Sequence, residues 1–214
     1  MNEHQKLLIK VCGMKYDHNI HAVALMNPDF LGFIFYPASP RFVGSDFSMP
    51  TLTSSIMKTG VFVDESLDTV VSIATKHHLD YIQLHGHESS DYCARLKSQE
   101  CSIIKAFSID DQFNFTTTDS FQPFCDYFLF DTKGINPGGN GVAFDWEVLA
   151  RYTGQVPFFL SGGIGPASID SILKFHHPKM AGLDLNSRFE SEPGKKDAKR
   201  LQEFIQNILK PTAL

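Results

Sequence analysis

The chain has 214 residues, 43% of them hydrophobic and 20% charged, which suits one large domain or two small ones with a proper core. A formal charge of -5 and a pI of about 6.0 argue against a nucleic-acid partner, which requires a basic face. With no apolar run near the roughly 20 residues of a bilayer span, no apolar leader in Met1–Lys6, and four scattered cysteines (Cys12, Cys93, Cys101, Cys125) without Cys-x-x-Cys spacing, the expectation is a soluble protein of the reducing cytoplasm that meets no membrane.

Short apolar runs recur along the whole length. The first, Leu7–Cys12, precedes Asp17–Met26, where Ile20, Val23, Ala24 and Met26 fall near one helical face. Phe30–Phe35 is the second. The poorly patterned Gly44–Lys58 is assigned to the second helix by position alone, ahead of a third strand over Gly60–Val63. Leu67–His77 carries Leu67, Val70, Val71 and Ala74 at helical spacing, before a fourth strand over Tyr81–Leu84. Ser89-Ser90-Asp91 opens a helix through Leu96, and Ser102–Ala106 is the fifth strand. Polar Asp110–Gln122 supports at best a short helix. Tyr127–Phe130 is the sixth strand and ends on Asp131; the turn formers of Gly138-Gly139-Asn140-Gly141 follow, with Asp145 as the cap of a helix to Tyr152. Phe158–Leu160 precedes a helix with Pro166 at its first position, running to Phe175. Ala181–Leu185 and a helix over Lys199–Leu209 complete the set.

Eight runs whose starts lie about 20 to 30 residues apart, with helical segments between them, give eight βα units. That repeat predicts an α/β fold, a closed (βα)8 TIM barrel, with residues 1–214 as one domain. An open doubly wound sheet is the rival architecture, but Gly13-Met14-Lys15 follows the first strand in place of a Gly-x-Gly-x-x-Gly fingerprint.

In such a barrel the chemistry lies at the C-terminal strand ends. Those positions are Cys12, Tyr36 to Arg41, Asp64, His85, Phe107, Asp131, Ser161-Gly162-Gly163 and Asp184 to Arg188. Alternation turns Leu8, Lys10 and Cys12 inward, with Ile9 and Val11 toward the helices, and sets Asp131 on one face with Leu129 and Tyr127. Cys12 is then either a small buried hydrophobe or a functional thiol. Asp131 is either functional or an ion-pair partner of Lys10 or Lys133. The glycines after strand seven and the Asp184-Leu185-Asn186-Ser187 stretch after strand eight match the place of a phosphate site. Arg41, in a loop stiffened by Pro37 and Pro40, suits a carboxylate ligand. His85-Gly86-His87-Glu88 looks like a metal cluster but has no further ligand at a clear position, so no metal is assigned. Lys105 is either a Schiff-base lysine, as in an aldolase, or a structural cation.

One set of motifs runs through the chain in order: Lys10-Val11-Cys12-Gly13-Met14, Gly32-Phe33-Ile34-Phe35-Tyr36-Pro37 with Ser39 and Arg41, Gly60-Val61-Phe62-Val63, and Gln83-Leu84-His85-Gly86. Asp131-Thr132-Lys133, Gly138 to Gly141, Phe144-Asp145-Trp146, Leu160-Ser161-Gly162-Gly163, Asp184-Leu185-Asn186-Ser187 and Pro193-Gly194-Lys195-Lys196-Asp197 follow in register. In these residues the chain resembles the phosphoribosylanthranilate isomerase family of tryptophan biosynthesis. The resemblance implies an Amadori rearrangement of N-(5-phosphoribosyl)anthranilate, a small phosphorylated substrate, without cofactor or metal. It implies Asp131 as general acid and Cys12 as general base. Arg41 would hold the anthranilate carboxylate and Gly162, Gly163, Asn186 and Ser187 the phosphate, with His85 and Asp184 as further substrate-binding positions. Lys10, one layer below Cys12, is expected to favour the thiolate. Arg188 stands where the family pattern has glycine, and either reaches the phosphate or points away from it. A Lys105 aldolase and a phosphosugar-binding barrel without catalysis are the competing readings. The sequence carries no signal of oligomeric state.

Overall fold

The computed structural model describes residues 6–132 and 146–210. Eight parallel strands close into a barrel in chain order: β1 (Leu8–Val11), β2 (Phe30–Ile34), β3 (Met57–Phe62), β4 (Tyr81–Leu84), β5 (Ile103–Ile109), β6 (Tyr127–Thr132), β7 (Phe158–Ser161) and β8 (Met180–Leu185), with β8 pairing back onto β1. The helices between them are α1 (Asp17–Ala24), α2 (Leu67–His77), α3 (Ser90–Lys97) and α4 (Ile169–Lys174), and α5 (Ala198–Leu209) closes the ring. Hydroxyl and carboxylate caps set their starts: Ser66 accepts from the Thr69 N–H, Ser89 from Tyr92 and Asp197 from Arg200. Among the described residues no helix is long and apolar enough to cross a membrane.

Several crossovers depart from the expected helices. No helix forms between Gly44 and Ile56; the chain there is irregular, and Met57 and Lys58 already belong to β3. Pro50 and the Thr51-Leu52-Thr53-Ser54-Ser55 run disfavour helix. Phe47, Met49 and Leu52 still pack on the core, but at spacings no helical face repeats. The stretch after β5 forms a 3-10 turn over Phe115–Phe121, in line with the short helix expected there, whereas Trp146–Arg151 after β6 is 3-10 rather than α. The glycine run 138–141 and the cap at Asp145 lie outside the described residues. Pro166 opens a 3-10 turn, Pro166–Ser168, that leads into α4. A short hairpin, β9 (Glu190–Glu192) with β10 (Lys195–Lys196), follows β8 and had no counterpart in the strand pattern.

The alternation of inward and outward residues builds the interior in layers. Phe30, Ile104, Ala106, Leu129 and Phe159 form one buried cluster, with Leu8, Met57, Tyr81 and Tyr127 packed against it. Its rings meet edge-on: Phe30 lies 5.2 Å from both Tyr81 and Phe159, at 64° and 80°. Ile9 and Val11 belong to the separate cluster between strands and helices. The barrel is therefore plugged by aromatics toward the starts of its strands. Lys10, Thr59 and Gln83 come next along their strands, buried and polar. Cys12, His85 and Asp131 follow at the mouth. Phe159→Ala opens a void in the plug and is expected to cost about 3–5 kcal/mol, read from urea denaturation.

Candidate active site

A cavity of about 440 Å³ opens at the C-terminal ends of the strands. It is lined by Cys12 from β1, Arg41 after β2, His85 after β4, Asp131 in β6, Ser161, Gly162 and Gly163 at the end of β7, and Asp184, Asn186 and Ser187 from β8 onward. The residues the family resemblance assigned to catalysis and substrate binding thus reach one chamber, whereas Asp64, Lys105, Phe107 and Arg188 do not line it. A larger groove of about 560 Å³ runs along 47–58 and the end of α2, away from the C-terminal strand ends where a barrel's chemistry sits.

Strand register explains the gathering. Lys10 pairs with Asp184 across β1 and β8, and Asp131 with Ser161 across β6 and β7. Lys10 Nζ donates to Asp184 Oδ1 at 2.7 Å, with side chains 0% and 5% exposed. Lys10 therefore serves Asp184, not Asp131, and Lys133 lies outside the described residues. Burial opposes the Lys10 charge, but Asp184 and Cys12 more than offset it and raise its pKa. Cys12 is 3% exposed. Burial pushes its thiol above the ordinary range, and Asp184 adds to that, while Lys10 and Lys196 pull it down without winning. Lys10 thus favours the thiolate in the expected direction, but burial and Asp184 outweigh it and keep the thiol pKa above its ordinary value.

Room for the thiol comes from the next strand. A Cβ on Gly32 would lie 2.7 Å from Cys12 Sγ, and one on Gly13 (φ 75°) would lie 2.8 Å from both Arg41 Cδ and Asn186 Oδ1. Only glycine lets the segment after β1 turn there while both side chains approach. On the opposite wall, His85 Nε2 lies 3.6 Å from Asp131 Oδ2, and His85 Nδ1 shares a 2.9 Å hydrogen bond with Gln83 Nε2.

Arg41 is where the sequence placed it but is not unpaired. Its Nε donates to Glu190 Oε1 at 2.9 Å and its Nη2 to Glu190 Oε2 at 2.7 Å. Lys196 Nζ donates to Glu190 Oε1 at 2.8 Å and to Asn186 Oδ1 at 2.7 Å. Burial would raise the Glu190 carboxyl, but these donors hold it below its usual range. Glu190 and Lys196 were missed; the only signal for them was the Pro193–Asp197 motif, to which no role was given. Gly162 and Gly163 both take positive φ, 91° and 66°, so the chain turns sharply at the end of β7. Arg188 is exposed and does not line the cavity; its stem packs across Gly165, 3.0 Å from where a Cβ would stand.

Lys105 is turned away from the chamber. Its Nζ donates to Glu88 Oε2 at 3.0 Å, to Gly86 O at 2.8 Å, and to Leu84 O and Ala106 O. It is a structural cation, and an aldolase lysine there has no access to a substrate. The neighbouring histidines diverge: His85 faces the cavity, whereas His87 bonds Asp64.

A family model described as N-(5'phosphoribosyl)anthranilate (PRA) isomerase matches residues 9–207. The chain is 45% identical over 209 residues to the N-(5'-phosphoribosyl)anthranilate isomerase of Parabacteroides distasonis, covering 96% of this chain and 95% of that protein. The phosphoribosyl anthranilate isomerase of Thermotoga maritima superposes with a TM-score of 0.77 at 27% identity, over 94% of this chain and 98% of the other. A phosphoribosyl anthranilate isomerase in complex with reduced 1-(o-carboxyphenylamino)-1-deoxyribulose 5-phosphate gives 0.74 at 25% identity, with the same coverage of 94% and 98%.

The Lys10–Asp184 pair makes a stability prediction. Lys10→Met strands a buried carboxylate and should cost about 3–5 kcal/mol, whereas Lys10→Met/Asp184→Leu should recover most of that. Urea midpoints of the two variants check it.

Proposed function

The chain belongs to the N-(5'-phosphoribosyl)anthranilate isomerase family, and from that premise we propose how its own residues carry out the reaction. The chain is an isomerase of tryptophan biosynthesis; it converts N-(5-phosphoribosyl)anthranilate to 1-(2-carboxyphenylamino)-1-deoxyribulose 5-phosphate. Asp131 gives a proton to the furanose oxygen, the ring opens, and the C1–nitrogen bond becomes a Schiff base. Cys12, as thiolate, takes the proton from C2. The resulting enolamine gains a proton at C1 and loses the one on its 2-hydroxyl, which leaves the ketone. Protons balance, and no electron acceptor or Lewis acid is needed, so no cofactor is invoked. Each of the two groups contributes roughly 10²–10⁴-fold.

The observation that carries this reading is the placement of Cys12 and Asp131, from β1 and β6, in the lining of one 440 Å³ chamber, the right size for one such substrate. The Gly162–Gly163 turn and the Asn186–Ser187 segment form the phosphate end, where main-chain N–H groups receive the oxygens. Arg41 receives the anthranilate carboxylate. Asp184, its charge balanced by Lys10, faces the sugar hydroxyls, and His85 contacts the sugar beside Asp131. The ligand of the solved relative, a reduced phosphorylated ketose amine, has the three groups this arrangement needs. A thiol base has to stay reduced, which favours the cytoplasm as its compartment. The residues 1–214 act as one barrel domain in this reading.

Cys12→Ala and Asp131→Asn should each lower kcat by about 10²–10⁴-fold while the reduced product analogue still binds. The decay of phosphoribosylanthranilate fluorescence measures the first and calorimetry the second; loss of binding in step with kcat would count against the assignment.

The pH dependence has a definite sign. The base form of Cys12 grows as pH rises through a thiol pKa held above the ordinary value, so kcat should climb through neutral pH into the alkaline range. Lys10 pulls that pKa down and Asp184 pushes it up. Lys10→Met should therefore move the limb to higher pH and Asp184→Asn to lower pH. Two limbs that stay in place would show that neither group tunes the thiol.

A further inference from the structure

We propose that Glu190 is a positioning residue for carboxylate recognition: from the hairpin after β8 it clamps Arg41 so that one edge of the guanidinium is fixed and the other is presented to the ligand. The inference rests on the reading of Arg41 given above.

The geometry separates this pair from an ordinary ion pair. Exposed pairs of this kind hold little energy and little orientation, but here the carboxylate side chain is 6% exposed and the guanidinium 22%. The Nε–Nη2 edge of Arg41 is consumed by Glu190, through three contacts of 2.7 to 3.1 Å. Nη1 has no hydrogen-bond partner among the described residues, and Arg41 lines the cavity. A guanidinium carries five N–H groups in a fixed plane, so fixing one edge fixes the direction of the others.

Glu190 is itself held so that it cannot follow Arg41 outward. Its Oε1 also accepts from Lys196 Nζ at 2.8 Å and from the Gly194 N–H at 3.1 Å. Lys196 has a buried side chain, and Asn19 of α1 grips its main chain in both directions, donating to Lys196 O at 2.9 Å and accepting from its N–H at 2.7 Å. The Lys196 ammonium bonds Asn186 Oδ1 as well, so the carboxylate clamp and the loop at the phosphate end share one cation. This gives the Pro193–Asp197 motif a role: Gly194, at φ 88°, turns the hairpin back so that Lys196 and Glu190 meet. An arginine on a free stem would pay its own ordering cost at each binding event; one already clamped does not.

The test compares two inert ligands by calorimetry. One is reduced 1-(o-carboxyphenylamino)-1-deoxyribulose 5-phosphate and the other is its anilino counterpart, which lacks the carboxylate. Glu190→Gln should weaken the first about tenfold and the second less than about twofold. KM should rise by a similar factor while kcat holds within about threefold. Arg41→Met should show the same selectivity more strongly, and Glu190→Gln added to Arg41→Met should change nothing further, because the clamp then has nothing to hold. Should Glu190→Gln fold poorly beside the buried Lys196, Glu190→Asp, which keeps a charge for Lys196 and draws the carboxylate back from Arg41, takes its place with the same expectation. Equal weakening of both ligands by Glu190→Gln, or additive losses in the double variant, overturns the inference. If Arg41→Met itself fails to discriminate between the two ligands, the reading of Arg41 falls first; if it discriminates and Glu190→Gln does not, Glu190 alone is misassigned.

Discussion

One buried ion pair sets the polarity of the chamber. Lys10 of β1 and Asp184 of β8 meet at 2.7 Å inside the barrel with almost no exposure, across the seam where the last strand closes onto the first. Two isolated charges in that position would be prohibitive, and a pair is tolerated only when geometry and neighbours satisfy it. Here Ser161 Oγ donates to the other Asp184 oxygen at 3.4 Å, and the Cys12 thiol lies within the reach of the lysine. The pair forms the floor of the chamber. Below it the interior is apolar and rich in aromatics; above it Cys12, Arg41, His85 and Asp131 stand among the aliphatic Ile34, Val61, Val63 and Ile164. A thiol resting on that floor feels a cation and an anion together, so its readiness as a base is a balance rather than a gift from one lysine.

The distribution of charge follows the direction of the strands. Inward positions along β1 read Leu8, Lys10, Cys12, and along β4 Tyr81, Gln83, His85, so that these two strands carry their polarity toward their C-terminal ends. Separate strands deliver their last inward residue to the same mouth. The division of labour in a barrel of this kind, a stable base and a reactive rim, is thus written into these strands by period-two alternation.

That alternation is why the fold and most of the candidate site are legible in the sequence. Eight apolar runs fixed the closed sheet, and counting two residues at a time from Leu8 led to Cys12. The glycines after β7 announced themselves by composition. The failures have a common physical cause, which is that they depend on contacts remote in sequence. The stretch 44–56 carries core residues without a helical period, and only the surrounding packing decides its path. Arg41 was found, but its partner stands 149 residues away, on a three-residue strand too short to leave a pattern. Lys105 is not assignable from its own strand, because its fate lies with Glu88 and the carbonyls of Leu84 and Gly86 on the neighbouring segment.

That last arrangement has a wider meaning. Lys105 brings a compact positive head to three carbonyl oxygens and one carboxylate, the kind of oxygen cage that other proteins fill with an alkali ion from solution. Here the occupant is tethered to the backbone and cannot be exchanged or diluted away. The loop that leads to His85 is therefore organised by an internal counterpart of a bound salt, and its shape is insulated from the ionic composition of the medium.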